Sequence, residues 1–222
     1  METLRQNIRF GLRMLVKSPA YTFVAIIALA LGIGANTAIF SVVYAVLLKP
    51  LPYLDSERLV AIESGNEQRG VEQFGGLSPA DFWDLKEQSQ AFEQLAGFSS
   101  DGGVGVPGDP PELLRGPRVS TNFFDLLYAR PLLGRTFNTE DGLMRSDDTV
   151  VLSYSAWQRR FGGDPNVIGR VLDGPVQVIG VMPPGFRFPE TAECWIPLSR
   201  DSGEARLRRE RYMNVIGLIK PG

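Results

Sequence analysis

Histidine is absent from all 222 residues. That absence excludes Ser-His and Cys-His nucleophile pairs, histidine general bases and histidine-ligated zinc. The one cysteine, Cys194, allows no internal disulfide and no thiolate metal cluster. No Gly-Lys pair occurs, so the chain lacks the G-x-x-x-x-G-K-[ST] loop that cradles ATP phosphates. No cofactor, no metal and no nucleic-acid partner is expected, and no internal repeat is visible. The composition, 44% apolar and 22% charged, excludes a disordered chain, a collagenous one and a bundle of membrane spans. The length suits one ordinary domain or two small ones.

What is present is unevenly distributed. Before Ser18 stand Arg5, Arg9, Arg13 and Lys17 against a single acid, Glu2, although the whole chain carries a net charge of −2. Residues 18–48 then run 31 positions without a charge, closed by Lys17 and Lys49. A spanning helix needs only about 20 such residues, and the apolar core of a cleaved signal peptide has only about 7 to 15. An uncleaved transmembrane helix is therefore predicted, with Ser18 as N-cap and Pro19 at the first helical position. Short flanks rich in Lys and Arg stay cytoplasmic, which places the N-terminus inside and residues 49–222 outside.

The four cations before Ser18 recur every four residues, with Leu4, Ile8, Leu12 and Leu15 on a neighbouring face. This reads as an amphipathic helix lying on the membrane, with Arg5, Arg9, Arg13 and Lys17 at the lipid headgroups. A disordered basic flank that only sets topology is the alternative. Within the span, Ala30, Gly34 and Ala38 lie four apart, as do Ala28, Gly32 and Asn36. They read as two adjacent small-residue stripes down one side of the helix, where another helix could approach closely and Asn36 could hydrogen-bond across. The alternative is the ordinary abundance of Gly and Ala in spans.

Beyond Lys49 the longest uncharged stretch has 13 residues, 174–186, and carries three prolines, so no second span is predicted. Short apolar runs alternate with amphipathic ones, as in a mixed α/β domain. Strands are predicted at 59–62, 113–120, 149–153, 176–181 and 215–219. Helices are predicted from Ser78-Pro79 through Phe92, at 121–127 and at 155–161. The segments 63–76 and 102–111 read as loops, either one a candidate subdomain boundary.

Little in this domain supports catalysis. The acid pairs Asp81/Asp84, Glu140/Asp141 and Asp147/Asp148 sit where carboxylates cap helices or face solvent. Arg206, Arg208, Arg209 and Arg211, interleaved with Glu204 and Glu210, read as a solvated loop, with an anion site as the alternative. Residues 182–189, Met-Pro-Pro-Gly-Phe-Arg-Phe-Pro, read as a rigid turn that tucks Phe186 and Phe188 onto the core, the alternative being an aromatic recognition surface.

Three groups of segments resemble the N-terminal part of FtsX/MacB-type ABC permeases, in particular the acidobacterial duplicated orphan permeases. They are 4–19 ending in Lys17-Ser18-Pro19; 30–41 (ALGIGANTAIFS) with the exit 47–53 (LLKPLPY); and 118–124, 157–165 and 180–186 in the outer domain. The resemblance implies one N-terminal transmembrane α-helix followed by a mixed α/β (α+β) extracytoplasmic domain with a MacB-like periplasmic core. It implies a cytoplasmic basic helix at 1–17, a span at 18–48 and a periplasmic domain at 49–222, in a bacterial inner membrane. It further implies a permease subunit, not an enzyme, whose outer domain moves for export or efflux when a separate cytoplasmic ABC ATPase hydrolyses ATP. Membrane lipid and a second permease copy or half are the other expected partners. Where the family continues through more outer domain into three further spans the sequence stops at Gly222, so a permease subunit or the N-terminal fragment of one is expected; a single-span anchored binding or scaffold module is the alternative. Two smaller departures are a shortened hairpin between Arg170 and Val176, which argues against a paired strand there, and Tyr128 where a helix-ending glycine is common.

Overall fold

The computed structural model describes residues 17–44, 56–65, 74–99, 102–143, 148–201 and 203–221. The chain divides into two units, Met1–Leu51 and Pro52–Gly222.

The first unit holds helix α1 (Pro19–Val43). Its 25 residues span roughly 37 Å at about 1.5 Å each, enough for a hydrocarbon core of about 30 Å with some tilt. It is the one helix among the described residues long and apolar enough to cross a membrane. Ser18 holds the cap position, but its hydroxyl caps nothing. Its carbonyl instead accepts from the Thr22 amide at 3.1 Å and the Thr22 hydroxyl at 3.0 Å. The Ser41 hydroxyl likewise donates to the Thr37 carbonyl at 2.8 Å. Returning each hydroxyl to its own helix satisfies it without water, as a hydrocarbon environment requires.

The second unit is built on an eight-stranded mixed sheet. Its strands are β1 (Leu59–Ile62), β4 (Phe92–Phe98), β7 (Arg118–Val119), β8 (Leu133–Gly134), β9 (Thr149–Leu152), β10 (Gln177–Val181), β11 (Cys194–Pro197) and β12 (Asn214–Ile219), in the order β1-β12-β4-β7-β11-β9-β10-β8. The β7–β11 and β9–β10 pairs are parallel, the rest antiparallel. Two ribbons stand apart: β2 (Ser64–Gly65) with β3 (Phe74–Gly75), and β5 (Gly103–Val106) with β6 (Glu112–Arg115).

Successive strand residues point to opposite faces, and both faces of the sheet centre are buried. Val150, Leu152, Val178, Cys194 and Ile196 enter one core with Trp157 and Phe161. The alternate residues Val151, Ile179 and Trp195 enter another, with Phe123, Phe124 and Phe186. A third core joins Phe82 to Leu95, Met213 and Val215.

Three helices cover these cores: α2 (Pro79–Gln88), α3 (Phe123–Leu126) and α4 (Tyr154–Phe161). Ser78 and Ser153 cap α2 and α4 by accepting from the amides of Asp81 at 3.1 Å and Ala156 at 3.2 Å. Gly162 ends α4 at φ 61°, a left-handed conformation natural to glycine. Tyr128 reaches φ 52° after α3 without being glycine. The Ala129 amide then closes onto the Phe124 carbonyl at 2.8 Å and the Tyr128 amide onto Asp125 at 3.0 Å, so the glycine-type cap forms on a tyrosine.

Several sequence expectations are corrected. Helix α2 ends at Gln88, and Phe92 opens β4 instead of closing the helix. The single strand expected at 113–120 is two strands in different sheets, broken at Gly116-Pro117. Gly116 must be glycine there, because a Cβ would stand 1.7 Å from the Cys194 carbonyl oxygen. The loop expected at 102–111 contains β5, whose Val104 and Val106 are buried in the α4-side core. Between Arg170 and Val176 the short turn keeps a single antiparallel bridge, Val171 to Gln177, with the Val178 amide on the Arg170 carbonyl at 2.9 Å.

Candidate functional site

Arg5, Arg9 and Arg13 lie outside the described residues; Lys17 is described and exposed. The small residues of α1 are all exposed, and a Cβ built on Gly32 or Gly34 meets nothing within 4 Å. The helix geometry corrects their arrangement. At about 100° per residue, Ala28 and Ala30 point roughly 200° apart. Ala28, Gly32 and Asn36 therefore form one narrow face, and Ala30, Gly34 and Ala38 form another on the opposite side.

In the second unit one of the acid pairs ties a loop to a helix. Asp81 and Asp84, one turn apart on α2, both receive Arg208, at 3.2 and 2.9 Å. Asp141 is buried; it takes Arg135 through two hydrogen bonds of 2.6 and 3.1 Å and accepts the Asn138 amide at 2.7 Å. That carboxylate holds the Arg135 guanidinium above its ordinary range. Glu140 beside it is exposed, and Asp147 lies outside the described residues. Of the expected arginine cluster, Arg208 clamps α2 and Arg211 donates to the Ser64 hydroxyl at 3.0 Å.

The turn at 182–189 folds onto the core. The Phe186 amide donates to the Pro183 carbonyl at 3.0 Å, and its buried ring meets Phe124 and Trp195 at centroid distances of 5.6 and 5.3 Å. Phe188 stacks on Phe123 at 5.8 Å, and the Trp195 indole donates to the Phe188 carbonyl at 3.0 Å. Cys194 is buried, and burial, helped by the Glu193 carboxylate, pushes its thiol up to about 12. Such a thiol is a packing group, not a nucleophile. Among the described residues no three His, Cys, Asp or Glu side chains gather as a metal site would require.

One feature that the sequence reading missed lies between α2 and β4. Lys86 is half-buried, with its Nζ 5.7 Å from the Phe82 ring centroid and 5.5 Å from that of Trp83, and it donates to the Asn122 side-chain oxygen at 2.8 Å. Burial, with the Arg200 charge nearby, pushes its ammonium down to about 8. It lines a cavity of about 340 Å³. Its sequence context gives no sign of burial: Ser89, Phe92, Glu93, Gln94 and Leu95 follow it closely in sequence, but they wall it only because the chain turns from α2 back into β4, and Asn122 joins them from the start of α3.

Residues 22–222 match the family described as MacB-like periplasmic core domain. No curated protein matches the chain. Among solved structures the chain is similar to a domain assigned to a permease from Porphyromonas gingivalis, at 16% identity and TM-score 0.56 over 78% of this chain and 77% of that one. It is similar to the periplasmic region of MacB from Actinobacillus actinomycetemcomitans, at 18% identity and TM-score 0.55 over 74% and 76%. The extracellular domain of the ABC-type transporter YknZ from Gram-positive bacteria aligns at 16% identity and TM-score 0.55 over 74% and 84%. At such identities the likeness is one of fold.

Proposed function

The chain belongs to the MacB-like periplasmic core domain family, and from that premise we propose that it is the permease subunit, or the N-terminal part of one, of a MacB/FtsX-type ABC transporter. The observation that carries this reading is where the family match begins: residue 22, inside α1, so that the apolar helix and the mixed domain are matched as one unit. The proposed layout is a cytoplasmic basic segment at 1–17 on the lipid headgroups, an inner-membrane span at 18–48 and an extracytoplasmic domain at 49–222. A separate cytoplasmic ABC ATPase hydrolyses ATP, and the outer domain moves in response to drive export. This chain supplies no phosphate-binding loop, and mechanical coupling asks for none. A second permease copy or half packs against the span.

The test is movement linked to a partner's ATP hydrolysis. A fluorophore is placed on Glu190→Cys, an exposed position, in membranes that also hold the ABC ATPase co-purifying with the chain. ATP is expected to change the signal, and a hydrolysis-dead ATPase to abolish the change. The purified chain alone is expected to hydrolyse ATP no faster than buffer. A signal indifferent to ATP overturns the coupling and leaves an anchored binding module.

A further inference from the structure

Lys86 is an incompletely satisfied cation. An ammonium has three protons to donate, and among the described residues the only acceptor it reaches is the neutral amide oxygen of Asn122, with no carboxylate in ion-pair range. The acids near it are already engaged: Glu93 with Arg58, and Glu87 with Arg200. Two aromatic rings cover one side of the charge without accepting a proton from it. A charge left half-desolvated in this way is costly unless something outside the chain completes its shell.

The cavity beside it has the means to hold such a group. Ser89 and Gln94 line it with Lys86, and neither side chain has a hydrogen-bond partner among the described residues. Phe92 and Leu95 supply an apolar wall. Convergent polar groups on an apolar wall in a space of about 340 Å³ are the ordinary anatomy of a small-ligand site.

We propose that the cavity between α2 and β4 binds a small organic monocarboxylate, its carboxylate on Lys86 Nζ and the Ser89 hydroxyl, its short apolar body against Phe92 and Leu95. A single charge is selected because one cation with free donors faces the space, and the only other charged residue that lines it, Glu93, is an acid and offers no second cation. The lowered Lys86 ammonium agrees with a cation that lacks its counter-charge. The site lies wholly within the second unit and is independent of ATP coupling.

The experiment uses the full chain in detergent micelles with ε-¹³C-lysine, which gives four signals, from Lys17, Lys49, Lys86 and Lys220. Butyrate is titrated as the probe, with phosphate and butylamine as comparisons. The Lys86 signal is expected to move saturably with butyrate while the other three stay, and butylamine is expected to move none. Lys86→Gln is expected to weaken butyrate binding, followed on the Leu95 methyl signal, by about tenfold, the scale of one charge-assisted hydrogen bond. A Lys86 signal that ignores butyrate, four signals drifting together, or phosphate binding as tightly as butyrate each overturn the proposal. None of these outcomes touches the permease reading, which requires neither the cavity nor its ligand.

Discussion

Lys86 couples the stability of the second unit to pH in a direction opposite to most surface lysines. Its ammonium is pushed down to about 8 from an ordinary 10.5, so the charged form is disfavoured only in the folded chain. Below pH 8 both states hold the proton and the penalty is fully present. Between about 8 and 10.5 the folded state releases the proton while the unfolded state keeps it, and stability rises with pH across that window. Lys86→Met removes the penalty at neutral pH, so its urea midpoint is expected to exceed that of the unsubstituted chain at pH 7 by a margin that shrinks towards pH 10.5. A constant margin sinks the assignment. Asp141, by contrast, is a buried carboxylate fully partnered by Arg135 and Asn138. Asp141→Ala is expected to cost about 2 kcal/mol in urea unfolding, because Arg135 is half-exposed and water recovers part of the loss. Glu140→Ala next to it, exposed, is expected to change the midpoint by less than about 0.5 kcal/mol.

Elements differed in how far the sequence foretold them, and the differences have local causes. Helices α2 and α4 were legible at their starts because Ser78 and Ser153 are true side-chain caps, and α1 because its uncharged run of 31 residues exceeds the about 20 that a spanning helix needs. Strand β4 was hidden in Phe92-Glu-Gln, which continues the helical spacing of α2; only pairing with β12 overrides it. Strand β5 was hidden by its glycines, which mimic a loop until Val104 and Val106 are seen to alternate into a core. No periodicity signals the Lys86 cavity. For α1 the residues were legible but not their faces, since four-residue stripes offset by two positions fall on opposite sides of a helix. The face with Asn36 is the stronger candidate for packing, because its exposed amide has no hydrogen bond among the described residues and lipid offers none. Gly32→Leu is expected to block close approach there and weaken association in membranes, and Asn36→Leu to remove something like 0.6 to 2 kcal/mol. Ile33→Leu, between the two faces, is expected to leave association unchanged, and equal effects from Gly32→Leu and Ile33→Leu remove the interface from this face.

At the scale of the whole chain the decisive question is which side of the membrane holds the mixed domain, because ATP-driven work on the far side presupposes that it is outside. The charge pattern argues for outside: Arg5, Arg9, Arg13 and Lys17 precede the span, while only Lys49 and Arg58 follow it closely. Thiol labelling tests this, and the structure selects where the thiol must go. Gly102, attractive from sequence as a loop position, is unsuitable, since a Cβ there would stand 2.5 Å from the Gly116 carbonyl oxygen. Glu190 is exposed and makes no ion pair among the described residues. Cys194 can remain as an internal control, being buried with its thiol pushed up to about 12. In intact cells treated with a thiol reagent that cannot cross the inner membrane, Glu190→Cys is expected to label. Glu2→Cys is expected to label only after that membrane is broken. Cys194 is expected to label in neither case while the domain stays folded. The reverse pattern, Glu2→Cys reactive in intact cells and Glu190→Cys protected, inverts the orientation. A cytoplasmic domain could not do mechanical work beyond the membrane, so that pattern would end the permease reading while leaving the fold and the Lys86 cavity as they are.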